Sequence, residues 1–213
     1  MVIIVEIKTV KTIVKIDELV DFFTSVFSDY TVVNEQSKLT KKELMESQFN
    51  EDPEFLMYIE DNNKIVAALF GYSSKPTNAI ILHIIGVLKE YRLKKYGSKL
   101  LDELVKRAKE KNYGQINLTS KTENYDFYIK NGFRPVLSYV VFDNISNEEF
   151  DKLNKYNFEQ ISYIVHDYMM DGKEKHATRI TYYVDYPKFE YLKYYNDLFE
   201  GSSASYSFER FLK

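Results

Sequence analysis

Four cations crowd one short turn of this sequence, Arg92, Lys94, Lys95 and Lys99, with Lys89 just upstream. They follow a nearly unbroken apolar run, Ala79–Val87, interrupted only by His83 and Gly86, and they lead into a helix-like pattern. A buried strand feeding a cationic turn at a helix N-terminus is a place to hold a polyanion. The exposed backbone N–H groups and the positive end of the helix dipole both favour phosphate there. His83 is the second candidate: an imidazole near pKa ~6.5 accepts a proton at neutral pH. Strand alternation puts it on the same face as Val87, four residues on. A lone histidine in an apolar strand is also a common satisfied core residue. His166 and His176 have no companion ligands, so no metal site is expected. The absence of cysteine excludes a disulfide framework, a thiolate metal site and a cysteine nucleophile.

The composition narrows the partners. A chain of 213 residues with 45 % hydrophobic and 29 % charged residues reads as an ordinary globular protein. A net charge of −3 argues against a nucleic-acid partner, which needs a broad basic face. The local cations suit a small anionic ligand better than a duplex. No apolar run approaches the roughly 18–20 residues of a membrane span, so no membrane partner is expected. The opening MVIIVEIK reads as a first strand, not a signal peptide, and a cytoplasmic location follows as the default.

The elements that must position these residues follow from periodicity. Val2–Ile7 reads as a strand, and a helix running to about Phe27 carries Leu19, Val20, Phe22, Phe23, Val26 and Phe27 at helical spacing. Thr40-Lys-Lys-Glu43 is a capping-box pattern that predicts a second short helix ahead of Leu44, Met45 and Phe49. Phe55–Glu60 and Lys64–Tyr72 are strands joined by Asp61-Asn62-Asn63, an antiparallel hairpin signal. Ala79–Val87 completes a meander. The next helix, Ser98 to about Lys111, puts Leu100, Leu101, Leu104, Val105 and Ala108 on one face and charges on the other. Gln115–Thr119 is a strand, Glu123–Asn131 a short helix ended by Gly132 at C′, and Phe133–Asp143 a strand. Beyond Asn144 the pattern gives a helix (Asn147–Lys155), strands (Phe158–Asp167 and Ala177–Asp185) around a turn at Asp171-Gly172, a helix from Pro187 to about Phe199 and a strand (Ala204–Leu212). With the strand before it this is a βαββαβ order, the split-βαβ pattern of a ferredoxin-like unit. The alternative is that one of these strands closes the first sheet. The fold class is therefore α/β (α+β), a mixed and largely antiparallel sheet flanked by helices, with a small C-terminal α+β extension. The expected domains are 1–143 and 144–213, the second docked on the first.

Two blocks of this sequence resemble the GNAT superfamily of acyl-CoA-dependent N-acetyltransferases. IIGVLKEYRLKKYGSKLL matches a strand, V-x-x-x-x-R-x-x-G-x-G/A and a helix, with Val87, Arg92 and Gly97 in register. NLTSKTENYDFYIKNGF matches a strand and a helix ending F-Y-x-x-x-G-F, with Phe127-Tyr128 and Gly132-Phe133. The resemblance covers residues 1–143 and not the tail. It implies acetyl-CoA as acyl donor. The pantetheine arm would pair with the backbone of Ile85, Gly86 and Val87 as an added strand. The turn of Arg92, Leu93, Lys94, Lys95, Tyr96, Gly97 and Ser98 would hold the pyrophosphate. The motif's first glycine falls on Lys95. A lysine can serve there if its φ is negative and its own N–H donates, and its ammonium adds a phosphate contact. Tyr128 occupies the family's general-acid position, and a phenol near pKa ~10 matches a CoA thiolate. Several family members place a base where His83 stands. Glu123 and Asn124 are expected to cap the aromatic helix, with a pantetheine contact by Asn124 as the alternative.

The reaction implied is acetyl transfer to a primary amine of a small molecule, peptide or protein. Without a cysteine, direct attack in a ternary complex is expected. A ligand-sensing or interaction module on the same scaffold is the competing reading, since fold does not fix function. Nucleotide or dinucleotide binding on a Rossmann sheet ranks a distant third, since the strands come in hairpins and no G-x-G-x-x-G follows a first strand. The tail's tyrosines (Tyr182, Tyr183, Tyr186, Tyr191, Tyr194 and Tyr195) suit a homodimer interface, an acceptor-site wall or an ordinary small core.

Overall fold

The computed structural model describes residues 5–27, 35–142, 147–170, 173–199 and 201–212. The chain forms two compact units, Met1–Asn117 with Phe211–Lys213, and Leu118–Arg210. The expected boundary at 143 and this division do not coincide, because Leu118–Phe142 group with the tail.

In the first unit the described order is β1 (Lys8–Thr9), α1 (Ile13–Val26), α2 (Glu35–Glu51), β2 (Leu56–Asp61), β3 (Lys64–Ser74), β4 (Ala79–Val87), α3 (Tyr96–Glu110) and β5 (Gln115–Thr119), whose last two residues are counted with the second unit. The strands lie in the order β1-β2-β3-β4-β5, antiparallel except for the parallel β4-β5 pair. The β2–β3 hairpin turns through Asn62 (φ 50°) and Asn63 (φ 61°). Two successive positive φ values match the strands' right-handed twist, and asparagine tolerates them. β3 is buried from Ile65 to Gly71 because both faces of the sheet are covered. On one face α1 and α2 set Ile16, Leu19, Phe22, Phe23 and Met45 against Leu56, Ala68 and Phe70. On the other lies α3, whose Leu104 stands beside Gly71. The buried stripe of α3 (Leu100, Leu101, Leu104, Val105, Ala108) is the one its periodicity predicts.

Two expectations are corrected here. Glu6 and Ile7 are not in a strand; the first described strand is Lys8–Thr9, paired with Tyr58 and Met57, while residues 2–4 lie outside the described residues. Thr40-Lys-Lys-Glu43 does not start a helix, because α2 is already helical at Glu35. No glycine or proline interrupts Glu35–Thr40, so the helix runs straight through the capping pattern.

The second unit contains α4 (Tyr125–Lys130), β6 (Arg134–Phe142), α5 (Asn147–Leu153), β7 (Glu159–Met170), β8 (Lys173–Tyr183), α6 (Phe189–Leu198) and β9 (Ser203–Phe211). Its strands lie in the order β9-β6-β8-β7, antiparallel at every pairing. That is the arrangement of a split-βαβ unit, with each helix crossing over one intervening strand. The turn expected at Asp171-Gly172 lies outside the described residues. Tyr139, Tyr182 and Tyr195 are fully buried in this unit's core. Tyr195 donates its hydroxyl to the Leu153 carbonyl at 2.7 Å, and Tyr194 donates to that of Lys152 at 2.7 Å, fastening α6 to the end of α5. A buried phenol needs such a partner, so Tyr195 acts as a core residue with a polar handle. Gly132 takes φ 78° after α4, and its N–H bonds to the Ile129 carbonyl at 3.0 Å, as a C′ glycine does.

Candidate active site

β4 is organised by two irregularities. Its register against β3 shifts between Phe70, opposite Ile84, and Gly71, opposite Leu82, which leaves His83 as the extra, unpaired residue of a β-bulge. Its pairing with β5 covers only Ala79–Ile81, opposite Gln115–Asn117. Beyond Ile81, no strand pairs with that edge of β4 in the register recorded among the described residues.

The bulge resets the side-chain alternation. A Cβ on Gly86 would stand 3.2 Å from Val26 and 3.4 Å from Phe22, so Gly86 faces α1 and Val87 faces away. His83 also lies on the α1–α2 face, with its ring 5.5 Å from that of Phe70 and 6.0 Å from that of Tyr72. The expectation that His83 shares a face with Val87 is therefore overturned, because one inserted residue changes the phase. The His83 side chain is exposed on the strand, yet partial desolvation by its neighbours, and after it the positive charge of Lys41, lowers the imidazole from its ordinary range. At neutral pH the ring is uncharged and able to accept a proton.

The turn after β4 gathers the expected cations at the start of α3. Arg92 leads back along the strand end, its Nε 3.5 Å from the Val87 carbonyl. Lys94 lies over the Tyr91 ring at 4.3 Å and Lys99 over the Tyr96 ring at 5.9 Å, while the two rings stack at 6.2 Å. The Tyr91 hydroxyl donates to Asp61 at 2.8 Å, tying this aromatic pair to the β2–β3 turn. Among the described residues, Arg92, Lys94, Lys95 and Lys99 form no ion pair, although most other cations of this unit do. The first turn of α3 holds no carboxylate. The positive end of the helix thus meets uncompensated cations.

Lys95 departs from the expectation of a negative φ. It sits in the left-handed region (φ 62°, ψ 18°) as the residue that opens α3, and its side chain makes no capping bond. Leu93 is left-handed too (φ 67°), with a fully exposed side chain (100 %). A left-handed residue followed by a right-handed helical one turns successive N–H groups toward one side, the concavity that cradles anions. Lys95 therefore takes the backbone shape glycine would supply, at a steric cost. Gly97 is buried in the first turn, and Leu93 can offer a ligand only its backbone and an apolar tip.

Tyr128 and Asn124 belong to the second unit. Tyr128 is 7 % exposed, among the rings of Phe127, Phe133 and Phe208 at 5.1, 5.9 and 5.7 Å. Burial pushes its phenol above the usual tyrosine range, and a hydrogen bond with Ser120 pulls it partly back. It is a proton donor at neutral pH, not a base. Asn124 stands at the N-cap position of α4, yet its side chain makes no capping bond, because its backbone (φ −105°, ψ 1°) is not the extended form that aims a cap. Among the described residues, no group of three or more metal-ligating side chains is placed to hold an ion. No described helix is long and apolar enough to cross a membrane.

Two residues that the sequence reading did not single out bear on His83: Lys41 through its charge and Tyr72 through its ring, 6.0 Å away. The available signal was the spacing of Lys41 from Met45 and Gln48, four and seven residues on, which places it on the sheet-facing stripe of α2.

Comparison with known proteins agrees with this geometry. A family model for the GNAT acetyltransferases matches residues 17–133, more than half of the chain. An acetyltransferase of the GNAT family from Staphylococcus aureus Mu50 aligns over 99 % of this chain and 100 % of its own, at 18 % identity and a TM-score of 0.59. PH1933 from Pyrococcus horikoshii OT3 aligns over 85 % and 99 %, at 16 % identity and a TM-score of 0.50. At these identities the likeness is one of fold. No curated protein matches the chain. With a family model spanning the strand–turn–helix at β4–α3 and the helix that carries Tyr128, the chain belongs to the GNAT family of acetyltransferases.

Proposed function

We propose that this chain moves an acetyl group from acetyl-CoA to a primary amine by direct attack in a ternary complex. The observation that carries the reading is the turn at α3. Four cations without counter-charges among the described residues lie at a helix N-terminus whose N–H groups are gathered by a left-handed Lys95. The phosphates of CoA are the ligand chemistry that such a turn favours. The edge of β4 from Leu82 to Val87, which no strand pairs among the described residues, supports strand-like pairing with the pantetheine amides.

The amine nitrogen attacks the thioester carbonyl carbon, and the C–S bond breaks. His83, held neutral, takes the proton released by the amine. Tyr128, held protonated, gives its phenolic proton to the departing thiolate, the role that the family pattern implies for it. Acetyl-CoA binding by calorimetry, followed by thiol release with an amine panel, tests the reading. Micromolar binding and amine-dependent release, reduced at least tenfold in Tyr128→Phe, are expected. No binding at millimolar acetyl-CoA overturns the proposal. Binding without thiol release from any amine replaces transfer with ligand sensing.

A further inference from the structure

Among the cations of the first unit without an ion pair, Lys41 stands out because of where it lies. It precedes Met45 (fully buried) and Gln48 (3 % exposed) by four and seven residues, so it continues the stripe of α2 that packs on the sheet. It is half-buried itself. Its neighbour Lys42 has two carboxylates, Asp17 at 2.6 Å and Glu46 at 3.8 Å. Lys41 has no ion pair among the described residues. Its charge adds to the desolvation that lowers the His83 imidazole, and desolvation lowers its own ammonium. Leaving a half-buried cation unpaired costs free energy, and the cost is recovered when a ligand brings the missing anion.

We infer that Lys41 is a specificity residue of the acceptor site, selecting amines that carry a carboxylate. The inference rests on the proposed acetyl transfer and on His83 as its base. The acceptor's carboxylate pairs with the Lys41 ammonium, and its amine is then delivered to the His83 side of β4. The same charge disfavours acceptors bearing a second ammonium group, and it favours the unprotonated form of the amine that must attack. Tyr72, whose ring lies 6.0 Å from that of His83, supplies an apolar wall on this face.

The test is a kinetic comparison of paired acceptors, a set of amino acids and their carboxamides, in wild type and variants. The wild type is expected to favour the carboxylate member at least tenfold in kcat/KM. Lys41→Gln should abolish that preference, chiefly by raising KM for the acid more than for the carboxamide. Lys41→Arg should retain most of the preference, and Lys42→Gln all of it. A wild type that treats acids and carboxamides alike overturns the inference, as does a Lys41→Gln variant that keeps the preference. Calorimetry with acetyl-CoA alone separates the two levels. Undiminished acetyl-CoA binding and turnover without carboxylate preference sink only the role of Lys41. Failure to bind acetyl-CoA sinks the proposed transfer as well.

Discussion

Substituting Lys95 by glycine should stabilise the protein, although it removes a side chain. Lys95 occupies the left-handed region, is exposed, forms no ion pair among the described residues and makes no capping bond. The substitution therefore removes little beyond the clash of a Cβ with the backbone, which for an L-residue in this region costs about 1–2 kcal/mol. Glycine gives part of that back by enlarging the freedom of the unfolded chain, by about 0.4–1 kcal/mol. The net gain is about 0.5–1 kcal/mol, a Tm rise of about 1–4 °C for a protein of this size. Lys95→Ala keeps the Cβ and should stay within about 0.5 kcal/mol of wild type, the usual range for exposed positions. Scanning calorimetry of the three proteins measures the difference. Under the proposed function, acetyl-CoA affinity should fall less than about fivefold in either variant, since an exposed charge contributes at most about 1 kcal/mol. If the glycine variant is no more stable than the alanine variant, the residue is not left-handed in solution and the argument for a gathered set of N–H groups fails.

Four further outcomes are expected. Because the imidazole of His83 is held below its ordinary value, the acidic limb of the kcat profile should fall below pH ~6.5, and His83→Gln should lower kcat by about 10²-fold or more and remove that limb. The same shift bears on stability, since the unfolded chain binds this proton more readily: the contribution of His83 is full above pH ~6.5 and declines as pH falls below it, a slope that urea titrations of His83→Gln should lack. Tyr182, buried with its hydroxyl unpartnered among the described residues, should gain up to about 1 kcal/mol as Tyr182→Phe, whereas Tyr195→Phe should lose about 1 kcal/mol with its bond to Leu153; urea denaturation compares the two. Gln48 receives the Ser73 N–H at 3.1 Å and donates to the Asp52 carbonyl at 2.8 Å, so Gln48→Leu strands a buried donor and should cost about 1–3 kcal/mol by the same assay.

Much of the scaffold was legible in the sequence where local chemistry dictates it. Ala79–Val87 and Gln115–Thr119 are found with the expected bounds, the first as a nearly unbroken apolar run and the second as an alternation of polar and apolar residues that begins after Gly114. Asn62-Asn63 forces a tight hairpin, and Gly132 stops α4, because their conformations are cheap only for those residue types. The βαββαβ order carried the strand arrangement of the second unit, since right-handed crossovers leave few alternatives. What stayed hidden depends on partners distant in sequence. Nothing near His83 marks it as a bulge, because register is set by β3 pairing with both halves of β4. Nothing about Leu93 or Lys95 announces a positive φ, which the turn imposes against their preference. Lys41 reads as one more surface lysine until α2 is laid against the sheet and its carboxylate-bearing neighbours are seen to pair elsewhere.

The bulge at His83 carries a consequence for how such a site changes over generations. A paired residue in the middle of a sheet answers to its neighbour across the ladder, so replacing it disturbs the strand. Residue 83 has no opposite number, and its chemistry is therefore decoupled from the architecture. A glutamate, a glutamine or a hydrophobe can be installed there without re-registering β4, which makes position 83 a socket for trying different proton carriers. Deleting that one residue would instead turn Gly86 away from α1 and bring Val87 round against Val26 and Phe22. Substitution at the bulge is open to drift, while loss of the bulge is closed to it.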